Sequence, residues 1–377
     1  MGVEDRSIEE TDALVIRRAY YVLSVSITGL LLIMINWVGV SSIMYNIMSI
    51  RKIVLNAVYY VVPIVTAMTG LAVIQLPTIF ILNRIGNKVS MSLGLLMNGL
   101  SLIFSTTSSY HTALLLRFLA GIGLGFYLAP SLLLILGWWS IRGLTRWVQV
   151  AYLSSVTAII TLTSIIVPEI TQSIAPYLGV ASIILAVIIL FTVGDAVIIK
   201  KVPIMAIMNN PDVLMLGIAF SLPWGVYLSL IPLVMQTSGR LGMMALTVPL
   251  ILTPLLYRYR HSVKIERRKI LLYTTAAFGA LTMVMGLHIY TDYLLLVLGT
   301  IFTLVLLLVL YMVNELVSPI LMVQSVTYLF TISSIIGSII GMIMAYAIQY
   351  LGVLGWVVIG ILIIISSIIY RILRITL

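Results

Sequence analysis

The sequence predicts an all-α membrane protein with twelve transmembrane helices arranged as two six-helix bundles. Hydrophobic residues make up 62% of the 377 residues and charged residues 8%, against about a quarter charged in ordinary soluble domains. Apolar runs of about 20 residues, the length that crosses a bilayer core as a helix, recur along the whole chain. Uniformly apolar runs of this length indicate helices, because strands of a membrane barrel alternate in polarity.

The chain begins with a polar segment. Residues 1–16 are rich in acidic side chains and lack the short apolar core and cleavage site of a signal peptide. We therefore expect a retained, partly disordered cytoplasmic tail that ends at Arg17-Arg18.

Twelve spans follow the tail. A segment at 200–212, with two prolines and paired asparagines, predicts a short cytoplasmic linker between an N-terminal bundle at 17–199 and a C-terminal bundle at 213–377. The predicted spans are 19–41, 55–82, 89–108, 112–137, 147–169, 176–199, 213–236, 240–257, 270–290, 292–313, 320–348 and 352–374.

The basic residues give an independent check on this topology. Of the 21 Lys and Arg residues, only Arg51, Lys52 and Arg240 fall on the predicted outer side, and Arg117 lies inside a span. The other 17 lie on the inner side, which predicts that both termini are cytoplasmic. The same bias explains the net charge of +10 without a nucleic-acid partner. The absence of cysteines excludes disulfides and thiolate metal sites, and we predict no cofactor.

Two stretches of the N-terminal half carry recognisable motifs. The loop after the second span runs from Pro77 to Lys88, and the fourth span contains Arg117, Gly121 and Gly123. These stretches resemble the major facilitator superfamily of secondary transporters. Its loop motif, roughly P-x-G-x-L-x-D-R-x-G-x-K/R, is matched by Pro77, Ile81, Arg84, Gly86 and Lys88. Ile79 and Asn83 replace the glycine and the aspartate, while Arg117, Gly121 and Gly123 match an R-x-x-x-G-x-G pattern and Trp138 to Arg146 an aromatic, basic junction.

The resemblance implies a transporter with a solute site near the midplane, between two bundles related by an axis along the membrane normal. The basic turn at Arg84 to Lys88 is echoed by Arg258 to Lys269 in the second half, which agrees with such a repeat. The expected location is the cell membrane. The expected partners are a small-molecule solute, the lipid bilayer and, as an open alternative, a co-transported proton, for a chain that acts as a monomer.

Arg117 is the first candidate for solute binding. Charges deep in a membrane helix are costly and usually mark a pathway, and the matching arginine of the family handles substrate or protons. The alternative is that Arg117 extends to the outer surface. Polar and aromatic residues in other spans give further candidates for the cavity wall: Asn36, Tyr127, Tyr152, Trp224, Tyr227, Gln324 and Tyr328. Pro223 and Pro232 are expected to kink the seventh span beside Trp224 and Tyr227.

The loop after the second span is expected to act as a cytoplasmic gate. Asn83, Arg84, Gly86 and Lys88 occupy the family's latch positions, with Arg142 as a further donor and Asp195 and Glu315 as acidic partners. Asn83 cannot form an ion pair, so the latch is expected to be weaker or rebuilt. The alternative is that these charges only fix topology.

The expected activity is alternating-access transport of a small organic solute, with an organic anion favoured by the lone deep charge of Arg117. No acidic residue lies in the first span, so facilitated diffusion is as compatible with the sequence as proton coupling. One alternative keeps the fold and moves bulky apolar compounds, as in multidrug efflux. A second is a non-transporting scaffold or receptor. A membrane enzyme is disfavoured, because the short basic loops lack clustered Asp, Glu and His.

Overall fold

The computed structural model describes residues 3–50, 56–106, 109–140, 159–163, 173–194, 208–252, 266–287, 292–317 and 321–373. Eleven α-helices and no strand occur in these ranges, which confirms the predicted all-α class. The helices are α1 Val3–Ile50, α2 Ala57–Ile85, α3 Asn87–Ile103, α4 Tyr110–Ser140, α5 Ala175–Thr192, α6 Pro211–Thr237, α7 Gly239–Thr247, α8 Arg267–Met285, α9 Asp292–Leu316, α10 Met322–Leu351 and α11 Val353–Ser367. A short helical stretch at 159–163 precedes α5.

Eight of the described helices are long and apolar enough to cross a bilayer. The qualifying segments are Leu14–Trp37, Ala57–Leu82, Tyr110–Trp139, Ala175–Thr192, Pro211–Thr237, Asp292–Val313, Met322–Leu351 and Val353–Arg371. The chain is thus a multi-pass membrane protein by the length and composition of its helices. The predicted third, eighth and ninth spans correspond to α3, α7 and α8, which are helical but do not qualify, and most of the fifth lies outside the described residues. The count of twelve stays a prediction.

Helix boundaries follow local signals in the sequence. Asn56 caps α2, because its side chain accepts a hydrogen bond from the backbone N–H of Tyr59 at 3.1 Å. Asn210 caps α6 in the same way, with Pro211 in the first turn, where its missing N–H costs nothing. Helix α6 therefore begins two residues before its predicted start and continues through Pro223 and Pro232.

Helix α1 differs from the prediction. It begins at Val3, inside the segment that was expected to be a partly disordered tail.

The turn between α2 and α3 is a single residue. Gly86 has φ 82° and ψ 168°, and its N–H bonds to the carbonyl of Leu82 at 3.0 Å. Only glycine adopts such a positive φ without strain. The tight turn predicted from the sequence is confirmed, and we call the end of the protein where it lies the elbow end.

The opposite end of the protein, which we call the far end, holds a pocket between helix ends. It is lined by the start of α2 at Asn56, the ends of α6 and α8 at Thr237 and Met285, the end of α10 at Ile348 and the start of α11 at Trp356. Tyr110, which begins α4, donates to the Tyr59 carbonyl at 3.3 Å on the same end. Helices α2, α4 and α11 therefore run from the far end to the elbow end, and α3, α6, α8 and α10 run the opposite way.

Candidate binding cavity

A central cavity of about 170 Å³ lies between helices from both halves of the chain. Its wall is contributed by α1, α2 and α4 from the first half and α6, α9 and α10 from the second. Ile160, in the short stretch before α5, and Leu250, in the 3-10 turn after α7, complete the described wall. The cavity therefore depends on how the two halves are placed against each other.

Aromatic rings form one side of this cavity. Tyr227 of α6 and Phe302 of α9 are parallel within 4°, with ring centroids 3.7 Å apart. The Tyr227 hydroxyl donates to the Leu246 carbonyl at 3.0 Å, which fixes its ring. Trp224 packs against Phe330 with centroids 5.1 Å apart. Two predicted residues, Trp224 and Tyr227, thus lie in the cavity wall, although their role in binding stays a prediction.

The described wall is almost entirely apolar. It contains no Asp, Glu, Lys, Arg or His, and its only aliphatic polar side chains are those of Gln75 and Thr327. A charged ligand entering such a site would lose its hydration without gaining an opposite charge from these residues. The chemistry of the wall favours an uncharged, mostly apolar ligand.

Arg117 does not line this cavity. Its side chain is 2% exposed, and it donates from Nη1 to the Asn36 carbonyl and from Nη2 to Asn36 Oδ1, both at 2.8 Å. Asn36 then donates to Asn98 Oδ1 at 2.8 Å and to Ser101 Oγ at 3.0 Å. Asn98 donates to Ser182 Oγ at 3.1 Å. The two predicted cavity residues Arg117 and Asn36 instead form a buried polar network that ties α4 to α1, α3 and α5.

Three other predicted wall residues, Tyr127, Gln324 and Tyr328, also lie outside the described cavity lining. Tyr127 is fully buried and donates to the Ser26 carbonyl at 2.7 Å, which holds α4 against α1. Gln324 and Tyr328 are buried on α10. Tyr152 lies outside the described residues.

The predicted gate is only partly visible. Arg84 is exposed in the last turn of α2, Lys88 lies in the first turn of α3, and the side chain of Asn83 is not described. Arg142 and Asp195 fall outside the described residues. Glu315 forms an ion pair with Arg267 of α8, whose guanidinium lies 5.6 Å from the centre of the Tyr311 ring. Its described partner is therefore the basic start of α8, and not the loop at Arg84.

Phe302 and Gln75 are two of the wall residues that were not predicted from the sequence. Phe302 stands in a leucine-rich run that gives no signal to separate it from ordinary core. Gln75 is different, because a glutamine within an apolar span is a signal of a polar cavity or a helix contact. It is 2% exposed, lines the cavity, and its Oε1 lies 3.3 Å from the hydroxyl of Thr331 on α10.

The packing of α2 against α10 joins the two halves on one side of the cavity. Gln75 of α2 contacts Thr331 of α10. Gly337 of α10 also lies close to Met68 of α2, because a Cβ built on this glycine would be 3.2 Å from the terminal methyl of Met68. A second link between the halves is the hydrogen bond from the Thr161 hydroxyl to the Thr247 carbonyl at 3.0 Å.

No protein-family model matches the chain, and a search of curated proteins found no match either.

Proposed function

We propose that this chain is a membrane transporter that works by alternating access, with the central cavity as its solute site. The observation that carries the proposal is the cavity itself, because three long helices from each half of the chain contribute to one wall. A site shared between two halves opens to one end or the other when the halves tilt, and it needs no channel through either half.

An internal repeat supports the division into two halves. Gly99 of α3 and Gly179 of α5 approach so closely that a Cβ built on either would lie 2.7 Å from the carbonyl oxygen of the other. Gly279 of α8 and Gly360 of α11 make the same reciprocal approach, at 2.7 and 2.5 Å. In both pairs an isoleucine, Ile183 or Ile364, packs beside the first glycine.

A second contact of the first half recurs in the second half, at a similar difference in residue number. A Cβ on Gly121 of α4 would lie 2.0 Å from the Ala67 carbonyl oxygen, and one on Gly299 of α9 would lie 2.1 Å from that of Leu246. The matched positions are 99 and 279, 179 and 360, 121 and 299, and 67 and 246. This regular spacing favours two halves of equal fold, as the resemblance to the major facilitator superfamily implies, and with them the twelve-span arrangement.

The charge distribution supports an orientation for the proposed transporter. Among the described residues, the elbow end carries Arg17, Arg18, Arg84, Lys88, Arg267, Arg268, Lys269 and Arg371, and the far end carries Arg240. Basic residues are retained on the cytoplasmic side of membrane proteins. We therefore place the elbow end, with both termini, in the cytoplasm of a cell whose plasma membrane holds the protein.

Alternating access can be tested before any solute is known, because the chain has no cysteine. Single cysteines replace Leu132, on the elbow-end half of the α4 wall, and Ile231, on the far-end half of the α6 wall. Membrane-impermeant maleimides applied from either side should label Leu132→Cys only from the elbow side and Ile231→Cys only from the far side. Phe191→Cys, on a side chain 80% exposed along α5, serves as a lipid-facing control.

A cross-link then separates a transporter from a static pore. Asn56 and Thr237 line the same far-end pocket from different halves, so a bifunctional maleimide across cysteines at these positions should hold that end closed. Labelling of Ile231→Cys should disappear, and labelling of Leu132→Cys should persist or rise. Labelling of both positions from both sides, before and after cross-linking, would contradict alternating access.

A further inference from the structure

The cavity wall contains a buried amide whose nitrogen makes no hydrogen bond with another described residue. Gln75 is 2% exposed and its Oε1 meets the Thr331 hydroxyl at 3.3 Å. That hydroxyl has a single hydrogen, and its shorter hydrogen bond goes to the Thr327 carbonyl at 2.8 Å. Whichever atom of the Gln75 amide faces the Thr331 oxygen, at least one Nε2 hydrogen keeps no partner among the described residues.

A second wall residue has the same deficit. Trp37 of α1 lines the cavity and is 4% exposed, and its indole Nε1 has no hydrogen-bond partner in the described structure. Indole N–H groups usually find an acceptor when they are buried. Both deficits are thus of one kind, because each is an N–H donor that lacks an acceptor.

The other polar groups of the wall are already engaged. The Tyr227 hydroxyl donates to the Leu246 carbonyl, the Thr327 hydroxyl donates to the Val323 carbonyl at 2.8 Å, and Trp224 Nε1 donates to Ser334 Oγ at 3.4 Å. The N–H donors of the described wall that lack a partner are therefore those of Gln75 and Trp37, and a ligand pairs with them by bringing an acceptor.

The size and the rings of the cavity limit the rest of the ligand. An apolar cavity of about 150 Å³ binds benzene in an unrelated protein, so the 170 Å³ here suits a molecule built on one ring. The parallel pair of Tyr227 and Phe302, with Trp224 beside it, offers aromatic surface for that ring.

We propose that the cavity recognises an uncharged, mostly apolar, ring-containing molecule with one hydrogen-bond acceptor, such as a carbonyl or ether oxygen, which accepts from the Gln75 amide. Trp37 is the second donor available to the same class of ligand. This inference rests on the proposed solute site and adds the polar group by which that site selects among apolar molecules.

Four probes of similar size test each part of the inference on the purified full-length protein in lipid nanodiscs. They are acetophenone, which has the acceptor, α-methylstyrene, its hydrocarbon analogue, benzoate, an anion, and phenyltrimethylammonium, a cation. Binding is measured by calorimetry, with empty nanodiscs as the reference for partitioning into lipid. Acetophenone should bind about tenfold more tightly than α-methylstyrene, the ratio expected for one hydrogen bond to an otherwise unpaired donor, and both charged probes should bind more weakly still.

Two variants assign the preference to the amide. Gln75→Met keeps the length of the side chain and removes the donor, so it should abolish the preference for acetophenone and leave the affinity for α-methylstyrene unchanged. Gln349→Met, at a glutamine of α10 that does not line the cavity, should keep the preference. If Gln75→Met fails to fold, Trp37→Phe and the four probes on the unmodified protein still test whether a donor in the cavity wall selects ligands that carry an acceptor.

Equal affinity for acetophenone and α-methylstyrene would overturn the role of the acceptor. Tighter binding of benzoate or phenyltrimethylammonium, or no binding of any probe, would overturn the ligand class. None of these results bears on alternating access, because the cysteine-labelling experiment uses no ligand. Conversely, selective acetophenone binding in a protein that fails the labelling test would indicate a receptor with the proposed specificity.

Discussion

The guanidinium of Arg117 is bound at both Nη atoms by a single residue, Asn36, through its backbone carbonyl and its side-chain Oδ1. A buried cation is thereby held by neutral acceptors, and the Asn36 amide passes the contact on to Asn98. We infer that Arg117 stabilises the packing of α1, α3 and α4, although the sequence suggested a direct role in binding the solute.

Replacing Asn36 should destabilise the protein through Arg117. Asn36→Leu removes one of the two described hydrogen bonds to a buried charge, which corresponds to about 1.5–3 kcal/mol of unfolding free energy. The thermal unfolding of the protein in detergent measures the change. In the double variant with Arg117→Met the loss from Asn36→Leu should shrink, because no charge remains to be satisfied. Strictly additive losses would show that the two residues act independently.

Replacing equivalent glycines of the two halves by leucine should destabilise the protein to a similar extent. Gly99→Leu and Gly279→Leu each place a side chain against the backbone of a facing glycine, and overpacking of this kind costs about 1–3 kcal/mol. Both variants should lower the melting temperature by similar amounts. Gly194→Leu is the control, because its nearest neighbour is the Trp138 ring at 3.7 Å. A large loss in one half only would argue against matched packing.

The turn at the elbow end should depend on glycine. Gly86→Ala forces a Cβ onto a residue with φ 82° and ψ 168°, and this backbone region costs residues other than glycine about 1–3 kcal/mol. Reduced melting temperature is expected, and Gly194→Ala, at a site without positive φ, should have little effect. Equal behaviour of the two variants would show that the turn relaxes without cost.

The ion pair between Arg267 and Glu315 should contribute modestly to stability. Both side chains are about 30% exposed (27% and 31%), so solvent screens the pair and a loss of about 0.2–1 kcal/mol is expected for Glu315→Gln. The exchange of the two residues, Arg267→Glu with Glu315→Arg, should recover part of that loss. Melting at low and high salt is the measurement, and the difference between wild type and Glu315→Gln should narrow as salt rises. A difference that does not change with salt would argue against an ionic contribution.

Side-specific labelling should map the spans. Cysteines at Asn87 and Asn210 should react only from the cytoplasm, and cysteines at Ser109 and Ser238 only from outside, because these residues lie at opposite ends of the described helices. Ser173, between the predicted fifth and sixth spans, should also react from outside if the count of twelve is correct. Reaction of Ser173→Cys from the cytoplasm would remove one span from the first half.

The structure confirms the all-α class that composition and periodicity predict. Long apolar runs could become only helices, and the turn at Gly86 was readable because a glycine stood between two such runs. Helix starts at Asn56 and Asn210 follow from their capping side chains. The short helix α7 was harder to place, because the apolar stretch that continues it includes Pro249, and the structure ends the α-helix at Thr247 in a 3-10 turn.

The candidate site was less accessible to sequence reasoning. Trp224 and Tyr227 were found because they lie one turn apart beside prolines, whereas Phe302 lacked any local sign. The depth of Arg117 along its helix was readable from the sequence, but the direction of its side chain, away from the described cavity lining, was not. Asn36, at a distance of 81 residues along the chain, turned out to be its partner, and only tertiary packing could reveal that.

The apolar lining of the cavity bears on how readily ions and protons can cross the protein. A largely apolar wall replaces little of the hydration shell of an ion, so an ion that enters the cavity loses most of its hydration energy. The described lining residues include no carboxylate or histidine that could accept and release a proton within the cavity. We therefore expect ions to cross this part of the protein poorly, which the current across a planar bilayer that contains the purified protein would measure.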